Sequence, residues 1–312
     1  MNRRHFLYAA ASGIGAAVSA MAAGNSRRHI MQYHLSCGSI GVKANQQQAI
    51  DYAAKYGFDC VDADGDYLAS LSADGLRRLL DDMKAKNVGW ATAGLPVEFR
   101  RDDATFTAGM KKLPAYAKNL RRAGVERVTT WIMPSDATRT YVANFRAHSK
   151  RLGEAARILG DENLRFGMEY VAPRTLLVAE KYPFIHTMAE MKDLIAEMNR
   201  PNAGIVLDSW HWSCAGDTAK DILSLRASDV ISVDLNDAPK GVPVDQRIDS
   251  SRELPAATGV IDLKAFLGSL KEIGYKGPVR AEPFNKAVES MPPDEALRVT
   301  AASLDKAFAL IA

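Results

Sequence analysis

The sequence predicts an α/β protein built as a single (β/α)8 TIM barrel. Three observations carry that prediction. From residue 30 onward, short apolar runs alternate with amphipathic helical stretches. The alternation gives eight strand–helix units in about 280 residues, which is what a closed barrel requires. No G-x-G-x-x-G turn follows an early strand, as an open, doubly wound dinucleotide-binding sheet would want.

In chain order, strands are expected near 31–36 (MQYHLS), 58–64 (FDCVDAD), 88–94 (VGWATAG) and 127–134 (RVTTWIMP). Four more are expected near 165–171 (RFGMEYV), 204–210 (GIVLDSW), 230–236 (VISVDLN) and 278–284 (PVRAEPF). Each is apolar, rich in β-branched or aromatic residues, and too short for a helix. The intervening stretches, such as QQQAIDYAAKYG and ADGLRRLLDDMKAKN, carry apolar residues at helical spacing and end in Gly or Asn, as helix C-caps do. The last, PDEALRVTAASLDKAFALI, opens with Pro and two acids, a good helix start. The longest irregular stretch is 237–260.

The chain has 312 residues, 47% hydrophobic and 25% charged, with a formal charge of only +3. Without a basic tract beyond the leader it offers no phosphate-neutralising face, so no nucleic-acid partner is expected. Cys37, Cys60 and Cys214 are too few and too scattered for a disulfide framework or zinc knuckle, and read as small apolar residues. The start is different. NRRHFL, then an Ala/Gly-rich apolar run ending in small residues, has the layout of a cleavable secretory leader, and Arg3-Arg4 resembles a twin-arginine export signal. Residues 1–28 are therefore expected to be signal peptide and short leader, and 29–312 the barrel. That implies a periplasmic or otherwise exported protein that meets a membrane only during export. A membrane anchor is the competing reading, but the run is short and glycine-rich for a span.

In a barrel, reactive groups gather at the C-terminal rim of the strands. Residues two apart on a strand share a face. The inward sets then contain Glu169 with Gly167, Asp208 with Gly204, Val206 and Trp210, Asp234 with Ser232 and Asn236, and Glu282 with Arg280. Strands five to eight thus each offer one acid at similar height. Four buried carboxylates together are prohibitive without positive charge. A divalent metal supplies it; the competing reading is a salt-bridge network with Arg280 as counter-charge, and the two can coexist.

With FGMEY, LDSWH and its D-x-x-H, VDLNDAP and RAEPF in view, the chain resembles the xylose isomerase-like TIM-barrel superfamily. Within it the sugar phosphate isomerase/epimerase group, with ketose 3-epimerases and inosose dehydratases, is most similar, over essentially all of 30–312. The resemblance implies one divalent metal held by Glu169, Asp208, Asp234 and Glu282, with Glu169 and Glu282 as base and acid and His211 on the substrate. It also implies a substrate-binding Arg252, in the loop after strand seven; a surface ion pair is the alternative. One departure stands out: the family's strand-seven ligand is normally His, here Asp234. Four carboxylates leave roughly −2 with a divalent ion bound, which favours oxygen-loving Mn2+ or Mg2+, with Co2+ or Zn2+ as further options.

The implied reaction is proton abstraction next to a carbonyl through a metal-stabilised enediolate. Returning the proton to the other face gives an epimer, and to the neighbouring carbon an isomer. Loss of a β-substituent makes the enzyme a dehydratase or lyase on keto-sugars or keto-glycosides. A non-catalytic carbohydrate-binding barrel is the alternative from another class. An abasic-site endonuclease needs a histidine-rich zinc cluster, and six histidines, mostly away from strand ends, argue against it. The expected partner is a small sugar or sugar derivative, with a homo-oligomer possible. His34 on strand one either faces the pocket or is a satisfied interior histidine. Trp131, Trp210 and Trp212 are either an apolar platform for the sugar or ordinary packing. Asp62 and Asp64 either bind hydroxyls or cap the next segment; His148 and His186 read as structural.

Overall fold

The computed structural model describes residues 29–312, so the expected leader lies outside the described residues. The strands are β1 (Gln32–Leu35), β2 (Cys60–Val61), β3 (Gly89–Trp90), β4 (Ala93–Gly94), β5 (Arg127–Ile132), β6 (Ser135–Asp136), β7 (Arg165–Tyr170), β8 (Tyr182–Pro183), β9 (Ala203–Asp208), β10 (Val230–Leu235) and β11 (Pro278–Ala281). Nine form one sheet in the order β3-β2-β1-β11-β10-β9-β7-β5-β4, with every pairing parallel.

The two edge strands, β3 and β4, are separated in sequence only by Ala91 and Thr92. The Ala91 N–H donates to Val61 O and the Ala63 N–H to Thr92 O, which holds this segment on β2. The Leu95 N–H then donates to Thr129 O on β5. One strand, expected over 88–94, therefore leaves β2 and joins β5, and the sheet closes into an eight-stranded barrel. The remaining pair, β6 with β8, is antiparallel and was not expected; it ties together the segments after β5 and β7.

Helices follow the strands and pack on their outward faces, where Val128, Phe166, Met168, Leu207, Val233 and Val279 are buried. Their ends obey local rules. The helix Gln46–Tyr56 starts in an Asn45–Gln48 capping box and stops at Gly57 with φ 79°. Helix Pro293–Phe308 opens on Pro293, as its sequence suggests. Among the described residues no helix is long and apolar enough to cross a membrane.

The inward phase of β10 depends on a bulge. Ile205 pairs with Val230 and Val206 with Ser232, so Ile231 is an extra residue. Its side chain fills space that two glycines leave open. A Cβ at Gly167 would lie 2.8 Å from Ile231 Cβ, and one at Gly204 only 2.5 Å from the Asp229 carbonyl oxygen. Beyond the bulge Asp234 pairs with Asp208, which sets both acids at one height.

Candidate active site

Four strand ends converge. Glu169 is in β7, Asp208 ends β9, Asp234 is in β10, and Glu282 follows β11 directly. All four are buried, and one carboxylate oxygen from each lies within 4.8 Å of the others.

Two arginines enter this cluster. Arg280 grips Asp234 with both ends of its fork, Nε to Oδ1 at 2.6 Å and Nη2 to Oδ2 at 2.8 Å, and reaches Glu282 Oε1 at 2.7 Å. The Arg252 Nη1 donates to Asp208 Oδ2 at 2.8 Å and Glu282 Oε2 at 3.2 Å. Arg252 is itself buried and anchored to Asp249, so the surface ion pair is excluded. The salt-bridge reading is thus present, alongside the convergence of acids. Two guanidinium groups against four carboxylates leave two negative charges unmatched.

Glu169 stands outside these pairs: its Oε1 is buried and without a hydrogen-bond partner. Burial, then the neighbouring Glu282, Asp208 and Asp234, pushes its carboxyl well above the ordinary range. Burial also raises Glu282 to about 7, against the pull of Arg280. The surplus charge, the hard oxygen donors within 4.8 Å and the unpartnered Glu169 Oε1 are what a divalent cation site requires. The residues fit the ion.

Helix Ser209–Ala215 begins immediately after Asp208, whose Oδ1 accepts from the Trp210 N–H at 2.7 Å and from Asn236 Nδ2 at 3.0 Å. That turn explains the D-x-x-H spacing. It swings His211 back over the acids, with Nε2 3.6 Å from Asp208 Oδ2 and 3.9 Å from both Glu169 Oε1 and Asp249 Oδ1. The Ala172 N–H donates to His211 Nδ1, so the ring proton sits on Nε2. Burial and then Arg252 lower the imidazole to about 3. His211 is therefore a neutral donor aimed at the cluster rather than a lone-pair ligand.

The same early helix corrects the placement of two tryptophans. Trp210 is not a strand residue; it is fully buried, with the Arg252 and Arg247 guanidinium groups 5.3 and 5.6 Å from its ring. Trp212 packs edge-on against Phe266 in the core. Neither is a platform. Trp131 is placed differently: it pairs with Glu169 across β5 and β7 and is 46% exposed. Arg100 stacks on it, 3.9 Å from the ring centre.

His34 faces inward from β1 and is buried, its Nε2 2.8 Å from Asp62 Oδ1. Asp64 caps the next helix through the Asp66 and Tyr67 N–H groups, so its capping role holds. His148 and His186 bond to carbonyls of Asn144 and Phe184, as structural histidines do. Asn236 touches Asp208 from behind, while Asp237 turns away into its own loop. Sequence reasoning missed Asp249, whose one local signal is its i,i+3 spacing to Arg252.

A family model described as "xylose isomerase-like TIM barrel" matches residues 50–307. The chain belongs to this family. Among relatives of this xylose isomerase-like barrel, the inosose isomerase of Bacillus licheniformis is 28% identical over 114 residues, 36% of this chain and 40% of that protein. The ketose 3-epimerase of Arthrobacter globiformis is 30% identical over 152 residues, 49% of this chain and 45% of the relative. The chain thus spans less than half the length of these two curated relatives. A xylose isomerase domain protein from Alicyclobacillus acidocaldarius superposes with TM-score 0.79 at 27% identity, covering 90% of this chain and 99% of that one. A structure of the IOLI protein with a bound zinc atom superposes with TM-score 0.74 at 19% identity, covering 89% and 98%, a likeness of fold.

Proposed function

We propose that this protein is a divalent-metal-dependent sugar isomerase or epimerase that moves a proton on a carbon next to a carbonyl. The carrying observation is the convergence of Glu169, Asp208, Asp234 and Glu282 around a charge deficit that Arg252 and Arg280 only halve. Relatives named inosose isomerase and ketose 3-epimerase, and the zinc in the IOLI structure, support the same reading.

The four carboxylates would hold the ion, which when bound would polarise the substrate carbonyl and acidify the adjoining C–H. The residues divide the remaining work. Glu282, fixed by both guanidinium groups, is a positioned carboxylate. Glu169 has no hydrogen-bonded cationic partner and the higher proton affinity, so its carboxylate takes the substrate proton. Glu169 returns it to the neighbouring carbon in an isomerase, whereas Glu282 supplies a proton to the opposite face in an epimerase. His211, protonated on Nε2, donates to the substrate oxygen lying between Asp208 and Glu169. Arg252 braces Asp208 and Glu282 through its Nη1 and gives the pocket a positive wall. The twin-arginine pattern at Arg3-Arg4 supports the further proposal that the barrel over 29–312 acts after export.

The test is incorporation of deuterium from solvent at the carbon beside the carbonyl, with Mn2+ or Mg2+ added, across a panel of keto-sugars. An enzyme labels its substrate, and Glu169→Gln abolishes labelling while still binding sugar. A barrel that binds sugar and never labels it refutes the enzymatic reading.

A further inference from the structure

The rim opposite the acid cluster carries a second, smaller polar device that the proposed chemistry does not use. His34 pairs with Arg280 on one side and with Cys60 on the other, all in parallel register. Continuing that register two residues puts Glu282, Ser36 and Asp62 at one height on one inward face. Asp62 therefore stands two strands from Glu282, roughly 10 Å away at the usual strand spacing. That is about the reach of one sugar ring with a hydrogen bond at either end. Ser36, small and buried, is the shelf between them.

Asp62 is held firmly. Its Oδ1 accepts from His34 Nε2 at 2.8 Å and Thr92 Oγ1 at 3.2 Å, and Ser36 also bonds to the carboxylate, which keeps acceptor capacity for a further donor. Its backbone carbonyl accepts from Gln46 Nε2, whose Oε1 accepts the Asp64 N–H, so the end of β2 is tied to the next helix. Yet the Asp62 side chain is 42% exposed at the mouth. Desolvation opposes its charge, but His34 and then Arg280 outweigh it and hold the carboxyl below its ordinary range. The cleft beside it, about 210 Å³, is lined by Cys37, Asn45, Gln46, Asp62 and Asp64 among others, and by no Lys or Arg. An anionic group there meets two carboxylates, while the nearest guanidinium, Arg280, is already bound by Asp234 and Glu282.

We propose that Asp62, positioned by His34, receives the far hydroxyl groups of the substrate and restricts this site to unphosphorylated, polyhydroxylated sugars. A carboxylate oxygen accepts from hydroxyl donors and repels a phosphate or carboxylate at the same place. The inference rests on the sugar reading above and names the substrate class within it.

The test uses the metal-supplemented full chain and the deuterium-exchange assay on D-fructose, D-tagatose and an inosose, each beside its phosphate ester. The unphosphorylated sugar is expected to exchange at least a hundredfold better in kcat/KM. Asp62→Asn should raise KM about tenfold more than it lowers kcat, and Asp62→Lys should shrink the discrimination against the ester by tenfold or more. His34→Leu should mimic Asp62→Asn, whereas His34→Gln, which keeps a donor for Asp62, should recover most of the KM. Thermal unfolding of each variant confirms that a folded protein is being compared. A phosphate ester preferred by the wild type, or variants that leave KM and the preference unmoved, overturns the assignment of Asp62 and leaves the acid cluster standing. No exchange on any sugar or ester overturns the sugar reading itself, and this inference with it.

Discussion

Glu169 has the strangest surroundings of any carboxylate in the barrel: three acids, a neutral imidazole, and no cation of its own. With Glu282 it dictates a pH dependence whose sign runs against the usual acid denaturation. Both carboxyls hold protons in the fold above pH 4.5, where the unfolded chain has released them. The metal-free protein should therefore lose stability as pH rises from about 4.5 through about 7. Melting curves in chelator across that range should show a falling Tm, and a saturating divalent ion should flatten or reverse it. A metal-free Tm that rises steadily with pH would remove the surplus charge from the account. At this scale the sequence was legible where alternation alone sets direction, as for Glu169, Asp208, Asp234 and Glu282. Arg252 was placed at the site only by the resemblance, since its partners Asp208 and Glu282 lie on other strands, and Asp249 was not legible at all.

The elements that aim these residues are a bulge and a loop. Gly204→Ala would push a methyl group against the Asp229 carbonyl oxygen and Ile231, and backbone cannot yield cheaply there. A loss of about 1–3 kcal/mol in denaturant unfolding is expected. The loop after β10 looks featureless in sequence but is knotted around Asp237. That carboxylate accepts from the N–H groups of Ala238, Thr258, Gly259, Val260 and Ile261, while its backbone pairs with Glu253. Asp237→Ala would strand several buried donors, at a cost on the order of 2–4 kcal/mol. Because Arg252 and Asp249 ride on that loop, substrate affinity should fall as well, which a KM measurement in the folded variant checks. The sequence showed strands and helices because their periodicity is local. The Asp237 knot and the crossing of residues 88–94 from β2 to β5 arise from contacts distant in sequence, which periodicity does not record.

Across the whole molecule, charge is segregated around the barrel mouth: acids and arginines on β7 to β11, the His34–Asp62 pair on β1 and β2, and Trp131 with Arg100 beside Glu169. Away from the mouth, His148 sits between Phe99 and Phe184, and burial lowers its imidazole to about 4. It stays neutral in the fold while the unfolded chain takes a proton below about 6.5, so its contribution fades as pH falls from there to 4. The Tm advantage of the wild type over His148→Gln should narrow across that window. The closed topology was readable from the count of strand–helix units, and the mouth's composition from strand-end acids. How the positive charge divides among those acids was not, because it depends on Arg252 arriving from a distant loop. The most direct measurement of the central claim is calorimetric titration of Mn2+ into metal-stripped protein at pH 6 and pH 8. One ion per chain, binding more tightly at the higher pH as the cluster gives up protons, and losing at least tenfold in affinity in Glu169→Gln, is the predicted result. Absence of stoichiometric binding by Mn2+, Mg2+, Co2+ or Zn2+, or binding indifferent to both pH and Glu169, would contradict it.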